Sequence, residues 1–154
     1  MASTLDELAR ERARWKDEGR AVVFTNGCFD LLHPGHVALL EAARAEGEVL
    51  VVGLNSDASV RGLKGEGRPL LPEQERAEAL LALEAVDRVI VYSDPTPLEL
   101  VRALRPDVLV KGADWAVEDI VGRAEVEEVG GRVVRVGLVP GRSTSSLVDR
   151  LRRP

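Results

Sequence analysis

The chain has 154 residues, with 26 acidic and 21 basic side chains and a net charge of -5 when its two histidines are neutral. That balance gives no dominant basic field for holding nucleic acid irrespective of sequence, and no run approaches the ~20 apolar residues of a membrane span. An apolar content of 45% suffices for a real core, and a lone cysteine, Cys28, excludes an internal disulfide framework and suits a reducing cytosol.

The expectation is one cytoplasmic domain over residues 1–154, with no nucleic-acid or membrane partner and no apolar leader at its start. STLDELARERARWKDEG (3–19) opens with a capping box, Thr4 to Glu7, and closes on Gly19, which predicts a first helix, with residues 1–20 packing on the domain. AVVFT (21–25) reads as a strand, PGHVALLEAARAEG (34–47) as a helix and EVLVVGLN (48–55) as a strand. A long loop is expected from Asn55 to Pro72. Beyond it PEQERAEALLALEAV is helical, RVIVY (88–92) a strand, TPLELVRALR a helix and DVLVK (107–111) a strand. A helix near 117–129, the strand RVVRVGLV (132–139) and a helix from Ser143 complete the pattern. Apolar strands alternating with amphipathic helices predict α/β architecture: a doubly wound, Rossmann-like parallel sheet covered on both faces. Such sheets bind ligands beyond the carboxyl ends of their strands, at the switch point of strand order.

Neither G-x-G-x-x-G nor G-x-x-x-x-G-K-[ST] follows a strand here, which removes dinucleotide dehydrogenases and P-loop NTPases. TNGCFDLLHPGH (25–36) instead holds both histidines. Pro34 suits a first helical position, so His33 belongs at the N-cap and His36 in the first turn. Two imidazoles and Gly35 at the positive end of a helix make an anion site. The plainer alternative is one capping histidine and one incidental one, and zinc would need further ligands that the sequence does not place nearby. Asn26-Gly27 supplies the turn off the strand. Cys28 reads as a small buried hydrophobe before a nucleophile, and Asp30 as a helix cap or a metal ligand. In the 55–72 loop, Arg61, Lys64 and Arg68 alternate with Gly62, Gly65 and Gly67; this suits either a basic flap over phosphates or a solvated connector. Arg76 is expected to reach the same anion. GRSTSS places Ser143, Thr144 and Ser145 at a helix mouth, as a cap or as a second phosphate cradle.

TNGCFDLLHPGH, GRPLLPEQERAEALLAL, DPTPLELVRALRPDVLVKGADW and GRSTSS together resemble the H-x-G-H nucleotidyltransferases of the cytidylyltransferase-like superfamily. Within it they look like the adenylyltransferase domain that makes ADP-heptose from D-glycero-β-D-manno-heptose 1-phosphate. The resemblance runs from Val22 across nearly the whole chain. It implies ATP and a sugar 1-phosphate as substrates, Mg²⁺ as cofactor, and a separate heptose-phosphate kinase as pathway neighbour; a homo-oligomer is also expected. It implies that His33, His36 and Lys64 stabilise the phosphates during transfer, with Arg76 beside them. The nucleotide would be held by Thr25, Asn26, Gly27, Cys28, Phe29 and Gly35. Lys111, Gly112, Asp114 and Trp115 would lie near its base and ribose, and Ser143, Thr144 and Ser145 on its β- and γ-phosphates. Asp30 would cap the helix or help hold the metal. Ala113 and Ser145 depart from the family pattern, where glycine and threonine are common. A glycerol-3-phosphate cytidylyltransferase and a non-catalytic nucleotide-binding partner of a sugar kinase are the alternatives.

Overall fold

A computed structural model describes residues 1–137 and 149–151. The elements run α1 (Leu5–Asp17), β1 (Val22–Gly27), α2 (Pro34–Arg44), β2 (Val49–Asn55), α3 (Asp57–Lys64), α4 (Glu73–Leu81), β3 (Arg88–Tyr92), α5 (Leu98–Leu104) and β4 (Val108–Gly112). A 3₁₀ turn (Val117–Asp119), α6 (Arg123–Glu128) and β5 (Arg132–Val136) follow. The strands form one sheet in the order β3-β2-β1-β4-β5, and every pairing is parallel. Strand order therefore reverses beside β1, and a crevice opens at its carboxyl end.

Both faces of the sheet are covered, so successive residues of β1 enter different cores. Val22 and Phe24 pack with Leu8, Trp15 and Val101 on one face, while Val23 packs with Leu40, Leu50 and Leu80 on the other. This explains why the strand reads as an unbroken apolar run. The N-terminal helix is built in by its caps and one arginine. Thr4 and Glu7 form the capping box, the Glu7 amide donating to Thr4 Oγ1 and the Thr4 amide to Glu7 Oε2. Arg12 donates to the Leu104 and Arg105 carbonyls at the end of α5 and pairs with Asp107. Asp107 in turn accepts from the Val22 amide, which joins α1, β1 and the approach to β4 at one point.

Two expected elements differ. The stretch after Asn55 begins with a helix, α3, capped by Ser56 Oγ, which accepts from the Ser59 amide, and held by buried Val60. Its eight residues bury one apolar side chain and include Gly62, too short a stretch between glycines to stand out from a loop. The helix expected near 117–129 is split by Gly122 at φ 94°, where an added Cβ would also stand 3.0 Å from Val101 Cγ2. The helix expected from Ser143 lies largely outside the described residues, of which 149–151 are helical. Among the described residues no helix is long and apolar enough to cross a membrane.

Candidate active site

A cavity of about 600 Å³ opens over the carboxyl ends of β1 to β4. Its centre is the turn between β1 and α2. Phe29 takes a left-handed backbone, φ 45°, a conformation costing an ordinary side chain on the order of 1–3 kcal/mol. Packing holds it there. The Phe29 ring occupies the space over Gly27, where a Cβ would meet Phe29 Cε2 at 2.9 Å, and its edge meets the His36 ring with centroids 5.2 Å apart.

His33 is the N-cap of α2, with Pro34 at the first helical position; its Nδ1 accepts from the Gly35 amide at 3.0 Å. An accepting Nδ1 puts the proton of the neutral ring on Nε2. The His33 and His36 rings stack, with centroids 3.8 Å apart and planes 24° from parallel. His36 is held neutral: burial, then the charge His33 can carry, outweighs a hydrogen bond to the Leu31 backbone and lowers its pKa to about 4. No acidic residue occupies the first turn of α2, so no carboxylate of that turn offsets the positive end of the helix. Both sequence-expected histidines therefore line one cavity, and Asn26, Gly27, Cys28, Phe29 and Gly35 line it with them.

Three charged side chains expected at phosphates or metal are engaged by partners within the protein, although Asp30 and Arg68 still line the cavity. Burial pushes the Asp30 pKa up, but the Leu70 amide, the Arg68 side chain and the Leu71 amide together pull it below the ordinary carboxylate value. With its oxygens accepting from those three groups, Asp30 fastens the α3–α4 segment to the histidine turn. Among the described residues no group of three or more His, Cys, Asp or Glu could hold a metal ion. Arg68 is committed to Asp30 in the same way. Arg76 is 1% exposed; it donates to the carbonyls of Leu71, Cys28 and Asn55 and pairs with Asp57 at 2.8 Å. A guanidinium so enclosed does not reach a phosphate in the cavity. Lys64, at the end of α3, is the exposed cation of this segment that lines the cavity.

The remaining expectations divide. Thr25 is fully buried in the sheet and its Oγ1 donates to the Val110 carbonyl, away from the cavity. Burial pushes the Cys28 thiol pKa up and its Sγ donates to Asn55 Oδ1, so it is a neutral hydrogen-bonding group and a poor nucleophile. Lys111 and Trp115 line the opposite side, the lysine Nζ 5.2 Å from the indole centroid and its pKa lowered by burial. Gly112 and Asp114 do not line the cavity, although the charge of Asp114 works against the lowering at Lys111. Ser143, Thr144 and Ser145 lie outside the described residues.

The sequence reading missed Asn55 and Tyr92, the last residues of β2 and β3. Each ends an apolar run at the edge where ligands bind, and Tyr92 is the only tyrosine in the chain. That signal was sufficient to find them.

The sequence profile described as cytidylyltransferase-like matches residues 24–144, a span holding the histidine turn and all five strands but the first two residues of β1. The chain belongs to the cytidylyltransferase-like family. It is accordingly a nucleotidyltransferase. The bifunctional protein HldE of Methylobacillus flagellatus is 52% identical over 147 residues, 96% of this chain and 30% of its own length. That of Mesorhizobium japonicum is 56% identical over 144 residues, 94% of this chain and 29% of its own. The chain thus spans about three-tenths of these relatives. Among solved structures, the lipopolysaccharide core biosynthesis protein from Thermoplasma volcanium superposes with a TM-score of 0.64 at 26% identity, covering 79% of this chain and 98% of that one. Pantothenate synthetase from Thermus thermophilus shares the fold, with a TM-score of 0.61 at 24% identity over 90% of this chain and 61% of its own. A cytidylyltransferase-like site need not supply a covalent nucleophile. The described residues offer what phosphoryl transfer does need: donors fixed around developing charge.

Proposed function

We propose that the protein transfers AMP from ATP to D-glycero-β-D-manno-heptose 1-phosphate, giving ADP-heptose and pyrophosphate. The observation that carries this reading is the stacked His33–His36 pair on the uncompensated end of α2, facing the cavity. An oxygen of the sugar phosphate, already an anion at neutral pH, attacks the α-phosphorus of ATP as the bond to the β-phosphate oxygen breaks. No base is required. His33 Nε2–H donates to the oxygens on which charge grows, at the positive end of α2, with His36 stacked on His33 and Lys64 closing from α3. Mg²⁺ belongs here to the triphosphate as its counter-ion, since Asp30 is committed to Arg68 and two amides.

The heptose acceptor is supported by the HldE relatives and by the structural likeness to a lipopolysaccharide core biosynthesis protein. A cytoplasmic, homo-oligomeric enzyme acting after a heptose-phosphate kinase is the setting of this reading. Pyrophosphate release over a matrix of four nucleoside triphosphates and several phosphorylated acceptors tests it. ATP with heptose 1-phosphate is expected to exceed CTP with glycerol 3-phosphate by about 10⁴-fold in kcat/KM, the scale on which sites reject a partner that leaves their hydrogen bonds unpaired. A highest kcat/KM with CTP and an alditol phosphate overturns the heptose assignment.

A further inference from the structure

The cavity has two unlike sides, one on each flank of β1. Towards β4 it offers Trp115, an exposed indole that suits stacking of a planar base, with Lys111 beside it. Towards β2 and β3 it offers Asn26, Asn55 and Tyr92, neutral hydrogen-bonding side chains at the ends of three adjacent strands. Tyr92 and Asn55 sit opposite each other in register. The side chain of Asn55 is already engaged, donating to Ser59 Oγ and accepting from Cys28 Sγ. Asn26 is engaged at one end. Its Nδ2 donates to Tyr92 Oη at 3.0 Å, while Oδ1 is buried with no hydrogen-bond partner. Because a phenol both donates and accepts, turning the amide over changes which end meets Tyr92, and one end lacks a protein partner either way.

We propose that Asn26, oriented by Tyr92, is the specificity residue for the acceptor and takes a hydrogen bond from a hydroxyl of the sugar ring. The inference rests on the sugar 1-phosphate reading and deepens it. A neutral amide and phenol do not hold a phosphate against the cations elsewhere in the cavity; they match the donor and acceptor character of alcohols. The position also fits the reaction. In-line attack at the α-phosphorus sets the acceptor phosphate opposite the leaving pyrophosphate, so the acceptor sugar needs lining of its own apart from the base, and the Asn26–Tyr92 side is separated from the indole side by β1. A buried amide end without a partner is costly, so an acceptor hydroxyl that satisfies it is favoured over one that cannot.

The test is a cycle of variant against substrate. Wild type and Asn26→Ala are assayed with ATP, Mg²⁺ and a panel of singly deoxygenated sugar 1-phosphates, with ATP affinity measured separately by calorimetry. One deoxy analogue is expected to lose about 10–100-fold in kcat/KM on the wild type, the range for one hydrogen bond to a buried group. That analogue should lose nothing further on Asn26→Ala, whose ATP affinity stays within about twofold because the lost bond is to the acceptor. An Asn26→Ala protein that loses equally with every analogue, or that loses ATP affinity as strongly as acceptor turnover, overturns the proposal. A wild type that turns over no sugar 1-phosphate overturns the functional reading itself, a separate result. If Asn26→Ala does not fold, Tyr92→Phe replaces it; releasing the amide should abolish the same single discrimination, and retained discrimination there also overturns the proposal.

Discussion

The histidine turn (25–36) and the basic segment from α3 into α4 (57–76) look alike in sequence: both join polar or charged residues with glycine beside a helix. In the fold they do opposite work. The turn leaves its donors facing the cavity, with a strained Phe29 and a stacked ring pair holding them still. The basic segment uses Arg68 and Arg76 to bind itself to that turn, through Asp30, the Cys28 carbonyl and Asp57, and commits Lys64 to the cavity. The lesson is that a cation's role follows from whether the protein has already neutralised it. Arg76 and Lys64, twelve positions apart on one segment, fall on either side of that line.

The sharpest way to break the comparison is at Arg76. Arg76→Met should cost about 3–5 kcal/mol in urea denaturation, because it strips partners from buried carbonyls and from Asp57. The protein that remains folded should keep its ATP affinity to within several-fold; a stable Arg76→Met variant with ATP binding abolished would return Arg76 to the phosphates. The turn gives the mirror result. His33→Ala and His36→Ala should each lower kcat by about 10²–10³ (roughly 2.7–4 kcal/mol), with His33→Ala also losing about 0.5–2 kcal/mol of stability with its helix cap, as read by steady-state kinetics on proteins of confirmed fold. Near-wild-type kcat in both would remove them from the mechanism.

A third measurement separates the regions by pH. Burial and His33 lower the His36 pKa from 6.5 to about 4, so between those values the unfolded chain binds more protons than the folded one. The stability that the neutral ring contributes is complete above 6.5 and is lost as pH falls towards 4. His36→Gln, which cannot titrate, should flatten the dependence of unfolding free energy on pH across that window. An unchanged slope would show that His36 titrates as an ordinary exposed histidine. Lys64→Ala should give the smallest effect, about tenfold and mainly in kcat, because an exposed lysine contributes only when it meets the developing charge. Comparing single-turnover rates with the affinity for a non-hydrolysable ATP analogue provides the reading, and unchanged kcat would make α3 a connector.

Much of the sheet and the centre of the site are legible in the sequence for physical reasons. β-branched runs buried on both faces, the Thr4–Glu7 box and a proline after His33 are local signals, and each is found where the residues place it. What local signals cannot carry is long-range neutralisation. The partners of Asp30 lie 38 to 41 positions away, and the Cys28 carbonyl bound by Arg76 lies 48 away, so both residues read as available when they are not. The helical part of 57–64 is hard to read because it is two turns long, holds Gly62 and buries only Val60. Thr25 shows the complementary limit. A residue at the edge of a binding motif can still belong to the sheet, and only the register decides which way it points.

The strand order also bears on how the chain acquires this shape. β1 shares six register pairs with β2 but only two, Val23 with Val108 and Phe24 with Leu109, with β4. The Val22–Asp107 bonds at the head of that short ladder close a separation of 85 residues. The β1–β2–β3 part can assemble from neighbours in sequence, whereas the β1–β4 junction must wait for distant chain to arrive and incurs the larger loop-closure entropy. Tyr92 and Trp115 come from different sides of that junction. The crevice therefore depends on the strand pairing that spans the largest separation in sequence, and without that pairing the histidine turn would lack the wall that faces it.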